Sequence, residues 1–320
     1  MATMEFSTEA FTEKKLSRLV IGSLFRGMDQ FEEHCKFFDT AFELGYTGID
    51  TARAYGSEDV VGEWMRLRGN REQVFVITKG AHPSRKRLRV TPFDIESDLH
   101  DSLADLATDY IDLYLLHRDD EAQPVSMTVD LMNRFIREGK IRAWGGSNWT
   151  APRIAAANAY AKETGQVGFA ASSPNYSLAE QIAEPWAPGC VTISGPQEAE
   201  QRAFYTQTQI PVYAYSSLAR GLFSGRISRK MFQETPDEIN EQCRVAYCCD
   251  ANFTRLERAE ELAKKYGASV PQIALAFILG SPMNVYPIVG AMNREEMQSN
   301  IDALAIKLTA DERRYLDLEL

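Results

Sequence analysis

Eight short runs of β-branched and other apolar residues, separated by longer amphipathic stretches, constrain this chain more than any other feature. They lie at residues 18–22, 47–50, 74–78, 110–116, 141–145, 168–172, 212–215 and 285–289. None alternates polar and apolar residues with a period of two, so each reads as a strand buried on both faces. Helix boundaries between them are written locally. Thr91-Pro92-Phe93-Asp94 and Ser269-Val270-Pro271 each offer a hydroxyl N-cap with proline in the first turn, and Gly139 stands where a left-handed helix end is needed. Further helices are expected over 31–44, 198–208 and 309–318, and a loop plus two helices within 216–284.

Strand–helix alternation without a break in composition predicts parallel strands joined by right-handed crossovers. Eight such units predict one (β/α)8 TIM barrel over residues 1–320, an α/β single domain with its active site at the C-terminal ends of the strands. The rival architecture, a doubly wound Rossmann sheet, needs Gly-x-Gly-x-x-Gly after an early strand, and the chain has none.

Composition narrows the function classes. With 44% hydrophobic and 25% charged residues the chain matches ordinary globular proteins, which excludes disorder. A net charge of −10 argues against a polyanion as partner, since nucleic-acid binding relies on lysines and arginines that displace counterions. The N-terminal segment carries Glu5 and Glu9 without an apolar core, unlike a signal peptide, and the apolar stretch at 270–283 is too short to span a bilayer. Cys35, Cys190, Cys243, Cys248 and Cys249 form no Cys-x-x-Cys pair; an odd number of scattered thiols points to a reducing, cytoplasmic setting and to no metal site.

Barrel enzymes place their chemistry where strands end, so the polar residues just past each run matter most. Asp50 and Tyr55 follow the second run, Lys79 ends the third, His117-Arg118 ends the fourth, and Ser147-Asn148-Trp149 follow the fifth. Singly, each has a bland reading as a cap, a solvated charge or a packing residue. Together they make a chemical set. A phenol with a pKa of about 10 is a poor acid near neutrality, and a nearby ammonium lowers that value, the role open to Lys79. Asp50 would hold Lys79 charged, and His117 would donate a hydrogen bond to a reacting oxygen.

Here the chain resembles the aldo-keto reductase family. The run Asp50-Thr51-Ala52-Arg53-Ala54-Tyr55-Gly56 is similar to the segment around that family's catalytic tyrosine, and Lys79 and His117 match the rest of its tetrad in order and position. The resemblance implies an NADP(H)-dependent oxidoreductase that reduces an aldehyde or ketone, with Tyr55 as general acid and NAD(H) as the second candidate cofactor. It implies cofactor contacts at Gly22, Ser23, Asp50, Ser147, Asn148, Ser173, Tyr215, Ser216, Leu218, Arg220, Gly221, Ser224, Arg226, Gly290, Met292, Arg294, Glu296 and Asn300. Ser147 and Asn148 would bind the nicotinamide carboxamide, and Tyr215 would stack on the ring.

Several positions depart from the family pattern. Ser173 stands where glutamine is usual, which shifts that contact to water or Asn175; Met292 and Glu296 stand where residues favouring a 2′-phosphate are common, leaving Arg294 as the nearest cation. The substrate pocket implied by the resemblance comprises Leu24, Tyr55, Ala81, His117, Arg118 and Trp149. With Leu24, Ala81 and Arg118 at wall positions, Trp149 as an aromatic floor, and Asp119 and Asp120 following Arg118, a polar, sugar-like carbonyl is the expected substrate. Two other classes share the barrel: a non-catalytic cofactor-sensing subunit like the potassium-channel β-subunits, and a metal-dependent sugar isomerase or hydrolase using Asp50, His82, His117 and Asp119.

Overall fold

A computed structural model gives the protein's fold, and it describes residues 1–24, 30–186 and 188–320. After a two-stranded antiparallel pair, β1 (Phe6–Ser7) and β2 (Leu16–Ser17), come β3 (Val20–Gly22), β4 (Gly48–Asp50), β5 (Phe75–Gly80), β6 (Ile111–Leu116), β7 (Ile141–Ser147), β8 (Ala171–Ser173), β9 (Val212–Ala214) and β10 (Val285–Val289). Strands β3 to β10 close into a barrel in the hydrogen-bonded order β10-β3-β4-β5-β6-β7-β8-β9, and the registered pairs are parallel. This is the (β/α)8 architecture that the strand–helix alternation predicts. All six residues of β5 and all six of β6 are buried, as strands covered on both faces require.

The chain forms two compact units. One is Met4–Ser173 with Gly290–Arg294; the other is Met1–Thr3, Pro174–Val289 and Glu295–Leu320. The first holds α1 (Phe31–Glu43), α2 (Glu58–Arg68), α3 (Pro92–Asp105), α4 (Val125–Arg137) and α5 (Ala151–Glu163). The second holds α6 (Ala199–Thr208), α7 (Arg229–Glu234), α8 (Glu241–Tyr247), α9 (Asp250–Tyr266) and α10 (Val270–Leu279), then nearly all of α11 (Arg294–Asp302) and all of α12 (Ala310–Leu316).

Most boundaries follow from the caps. Thr91 accepts the Asp94 N–H at 3.2 Å with Pro92 at the first helical position, and Gly139 ends α4 at φ +74°. Where strands shift, a competing hydrogen bond is the cause. The Arg18 N–H goes to Glu5 O at 2.8 Å, beside the β1–β2 pair, so β3 starts only at Val20. The Phe169 N–H goes to Asn158 Oδ1 at 2.7 Å, so β8 starts at Ala171. The interval 216–284 holds α7, α8, α9 and α10 rather than two helices. The two short ones are nucleated by Ser228, which accepts Met231 N–H at 3.1 Å, and Asn240, which accepts Cys243 N–H at 3.3 Å.

At the N-terminal ends of the strands, Asp112 on β6 is buried and gathers three donors. Its carboxylate meets Lys14 Nζ at 2.7 Å, Arg71 Nη1 at 2.8 Å and the Val76 N–H at 2.9 Å. Removing one partner of a buried pair strands the others, which typically costs about 3–5 kcal/mol. Asp112→Ala should therefore lower the unfolding free energy in urea by about 3 kcal/mol or more. A loss under about 1 kcal/mol would mean that the cluster contributes no more than a surface pair does.

Candidate active site

In the first unit, neighbouring strand ends converge. Strand β4 pairs with β5 through Asp50↔Ile77, and β5 pairs with β6 through Lys79↔Leu115. This register brings the ends of three successive strands together, and with them Asp50, Lys79 and His117. Close approach near Gly80 is needed for it: a Cβ there would lie 1.9 Å from the Tyr114 hydroxyl, so only glycine fits.

Lys79 is 2% exposed, and its ammonium donates to Asp50 Oδ1 at 2.5 Å and to the Thr51 carbonyl at 2.9 Å. Burial opposes its charge, but Asp50 and then Tyr55 outweigh burial and leave Lys79 above its ordinary pKa. Burial also pushes Asp50 above the usual carboxylate range, and Lys79 pulls back only part of that. The ammonium lies 5.0 Å from the centre of the Tyr55 ring. Tyr55 is half-buried at the end of a single turn, Arg53–Tyr55, closed by Gly56 at φ +64°.

The expected lowering of the Tyr55 pKa is not met. Burial raises it first, Lys79 opposes, and the phenol stays above its ordinary value. Burial is the larger effect, and Asp50 adds to it against the lysine charge. His117 packs edge-to-face with Tyr55, ring centres 5.8 Å apart, and burial, then Lys79, His82 and Arg118, hold it well below an ordinary histidine. It is therefore neutral near pH 7. Its Nδ1 is buried with no hydrogen-bond partner among the described residues. A buried lone pair is less costly than a buried orphan N–H, which assigns the proton to Nε2.

The remaining expected residues fall out unevenly. Asn148, at φ +61°, donates to His117 O at 3.2 Å and Ser147 Oγ at 3.0 Å, and Ser147 Oγ donates to Ser173 O at 2.8 Å. These put a hydroxyl and a carboxamide beside His117, with their donors engaged by Ser173 O, His117 O and each other. Gly22 pairs with Asp50 in register, whereas Ser23 is fully buried, with its hydroxyl 2.8 Å from Ser57 Oγ. Ser57 in turn lies 3.0 Å from Thr51 Oγ1. Ser23 thus braces the segment that holds Lys79 instead of facing a ligand. Ser173 is likewise fully buried.

The expected pocket wall needs correction. Ala81 is fully buried at φ +60°, its N–H held by Asp98 at 2.8 Å, so it lines nothing. Trp149 is also fully buried, its ring 5.3 Å from Phe169 and 5.4 Å from the Arg153 guanidinium. It offers no stacking face. Arg118 is buried and donates to His117 O at 3.0 Å, while Asp119 pairs with Arg153 at 2.7 Å. Of the two carboxylates that could bracket a diol with Arg118, Asp119 and Asp120, the first is thus taken by Arg153. Leu24 is exposed. Asp50 and Asp119, which a metal-dependent isomerase would need, are bound to Lys79 and Arg153, and no three His, Cys, Asp or Glu residues among those described could hold a metal.

In the second unit, Tyr215 is half-buried, donates its N–H to Pro174 O at 3.2 Å, and has the Trp186 ring 5.9 Å away. Asn175 is spent on Tyr215 O at 3.2 Å, Tyr247 Oη at 3.0 Å and Thr192 Oγ1 at 2.9 Å, so it does not replace the usual glutamine. The following loop bends through Ser216, Ala219, Arg220 and Gly221, all at positive φ, and Leu218 accepts the Gly221 N–H at 3.0 Å. Arg220 donates to Gln242 at 2.7 Å and lies 4.8 Å over Trp186. Ser224 Oγ accepts the Arg226 N–H at 3.3 Å, and the Arg226 guanidinium pairs with Glu296. Asn300 is buried. In the first unit's C-terminal piece, Gly290 has open space where a Cβ would be, Met292 is exposed and Arg294 pairs with Glu43 at 2.9 Å.

The sequence pattern does not expose Thr51, Ser57 or Asp98, which position the site through a carbonyl, a hydroxyl chain and a backbone contact. His82, whose ring lies 4.7 Å from that of His117, stood there only as a candidate metal ligand.

A family model described as the Aldo/keto reductase family matches residues 18–318. The chain is 27% identical to the Bacillus subtilis (strain 168) oxidoreductase YrpG, covering 98% of this chain and 95% of that protein. It is 26% identical to AAD4 of Saccharomyces cerevisiae, named as a probable aryl-alcohol dehydrogenase, over 89% of this chain and 87% of that one. A solved thermostable aldo-keto reductase, Tm1743, in complex with the inhibitor epalrestat, matches with a TM-score of 0.72 at 24% identity, over 98% of this chain and 99% of that one. A family match of this extent, on this barrel, means that the chain belongs to the aldo/keto reductase family of oxidoreductases.

Proposed function

We propose that the protein reduces the carbonyl of a small, polar aldehyde or ketone to an alcohol, with Tyr55 as proton donor and NADP(H) as cofactor. One observation carries this reading: a lysine ammonium, held by a buried carboxylate, lies 5.0 Å from a tyrosine ring that also packs on a neutral histidine. The carboxamide end of a nicotinamide would meet the Ser147 hydroxyl and the Asn148 carboxamide beside His117 by exchanging hydrogen bonds that they make within the protein. When bound, the cofactor supplies the hydride. Tyr215 offers an aromatic face, and the loop of Ser216, Leu218, Gly221 and Ser224 would meet the phosphates, with the Ser216 and Ser224 hydroxyls as its donors.

The residues' own work follows from their protonation states. His117 Nε2–H and the Tyr55 hydroxyl donate to the carbonyl oxygen and orient it. As negative charge develops there, Tyr55 gives up its proton and Lys79 stabilises the phenolate left behind. A raised tyrosine pKa does not block this. An alkoxide is roughly as basic as hydroxide, whose conjugate acid has a pKa of about 15.7, so the transfer stays downhill. The same raised value keeps the phenol protonated through the working range, so the acid is not lost as pH rises from 7 towards 9.

Tyr55→Phe should lower kcat/KM for a carbonyl substrate by about 10³-fold while the cofactor Kd changes little. Wild-type kcat/KM should stay flat from pH 7 to 9 and fall only above the ordinary tyrosine value of 10.0. Near-normal turnover by the variant, or an acid-loss limb below pH 8 that the variant abolishes, would contradict the assignment.

Cofactor preference is read from the cations. Arg226 is paired with Glu296 in one unit, and Arg294 with Glu43 in the other, so each candidate for a 2′-phosphate already faces a carboxylate. Titration with both cofactors should give an NADPH preference below about a thousandfold, some 4 kcal/mol. Glu296→Gln should raise it by roughly fivefold, the upper end for a surface pair. A preference beyond a thousandfold in the wild type, or a fall in the variant, would count against this reading.

A further inference from the structure

The loop after β5 carries a histidine that the proposed reaction does not use. His82 packs on His117 with ring centres 4.7 Å apart and planes at 82°. Its position is fixed by its neighbours. Ala81 holds φ +60°, a region unfavourable for any residue with a Cβ. The Asp98 carboxylate secures it by accepting the Ala81 N–H at 2.8 Å, and Arg89 in turn holds Asp98 at 2.6 Å. A strained turn held in this way beside a reacting centre places the next side chain deliberately.

The orientation of the imidazole then decides its chemistry. Nδ1 lies 3.0 Å from the Pro83 carbonyl oxygen, and a carbonyl can only accept, so Nδ1 carries the proton. Nε2 is the lone-pair nitrogen whenever the ring is neutral. The groups acting on it are Arg118 beyond β6, Arg89 and Asp98 before and on α3, and His117. Burial works first against its charge, Arg118 and Arg89 add to burial, and the pull of Pro83 and Asp98 does not offset them. His82 therefore sits below its ordinary 6.5 and is neutral at pH 7. His117, which itself packs on Tyr55, thus has a ring with an acceptor nitrogen as its neighbour.

We infer that His82 determines specificity: its Nε2 accepts a hydrogen bond from a hydroxyl on the carbon next to the substrate's carbonyl. The substrate class is then α-hydroxy aldehydes and ketones. The inference rests on the reductase reading above, with Tyr55 and His117 addressing the carbonyl oxygen. It replaces the Arg118–Asp119 bracket as the source of polar selectivity. A site built to meet a hydroxyl rejects the analogue lacking it more strongly than an apolar wall could, because the acceptor then goes without its hydrogen bond to the substrate.

The test compares lactaldehyde with propanal, which differ by that one hydroxyl, for wild type and for His82→Phe, which keeps a ring without an acceptor. Wild type should favour lactaldehyde in kcat/KM by at least tenfold, and His82→Phe should cut that ratio at least tenfold. His82→Gln, which restores an acceptor oxygen, should recover part of it. The wild-type ratio should hold from pH 8 down to 6.5 and decline at lower pH as Nε2 gains a proton, a dependence missing in His82→Phe. An unchanged ratio in His82→Phe, or equal losses on both substrates, overturns the inference. Nitrogen-15 NMR of the histidine ring in the NADP⁺-bound protein decides the point without turnover. An Nδ1–H tautomer whose Nε2 signal moves with 1,2-propanediol but not 1-propanol supports it, and an Nε2–H tautomer overturns it. If neither aldehyde is reduced, the reductase reading fails, and the NMR result still decides the role of His82.

Discussion

The ion pair between Asp50 and Lys79 is the interaction on which the rest of the site depends. Both side chains are buried, and the ammonium is also bonded to the Thr51 carbonyl. A lone charge in that position would be too costly to keep, and a pair with good geometry is tolerated. Its consequences spread outward through contacts. Thr51 is braced by the Ser57 and Ser23 hydroxyls, and Tyr55 sits under the lysine charge. His117 is driven to neutrality by burial first and by that same charge next. The lysine charge thus adds to burial in keeping His117 neutral and works against burial at Tyr55.

The barrel was legible because each strand is short, apolar and buried on both faces, and because caps such as Thr91 and Gly139 act locally. The strand β10 (Val285–Val289) could be read to the residue. Strand β8 could not, since the side chain of Asn158 captures the Phe169 N–H, and such a long-range contact leaves no periodic trace. The helices α7 and α8 were missed for a related reason: at six and seven residues they carry too few turns to show an apolar face.

For the candidate site, residue type and order at strand ends were enough to expect Asp50, Tyr55, Lys79 and His117 close together, as they are. Direction was not legible. Whether Arg118, Ala81 and Trp149 turn inward or outward depends on φ values and on partners such as Asp98 and Arg153. The direction of the Tyr55 pKa was also hidden, because it is a balance of burial, with Asp50 adding to it, against the lysine charge. The corrected surroundings contain no exposed aromatic floor at Trp149. They are the Tyr55 and His117 rings in edge-to-face contact, with the Lys79 ammonium near the first and the His82 ring near the second.

The most direct measurement is single-turnover transfer of deuterium from NADPH labelled at the nicotinamide C4 to lactaldehyde, followed by mass spectrometry of the product. The account predicts one deuterium on the former carbonyl carbon. It also predicts that Lys79→Met, with an unchanged far-ultraviolet dichroism spectrum, transfers at least a hundredfold more slowly, since a preorganised charge at the reacting oxygen contributes about that much. Product without deuterium, or transfer by Lys79→Met at the wild-type rate, would contradict it.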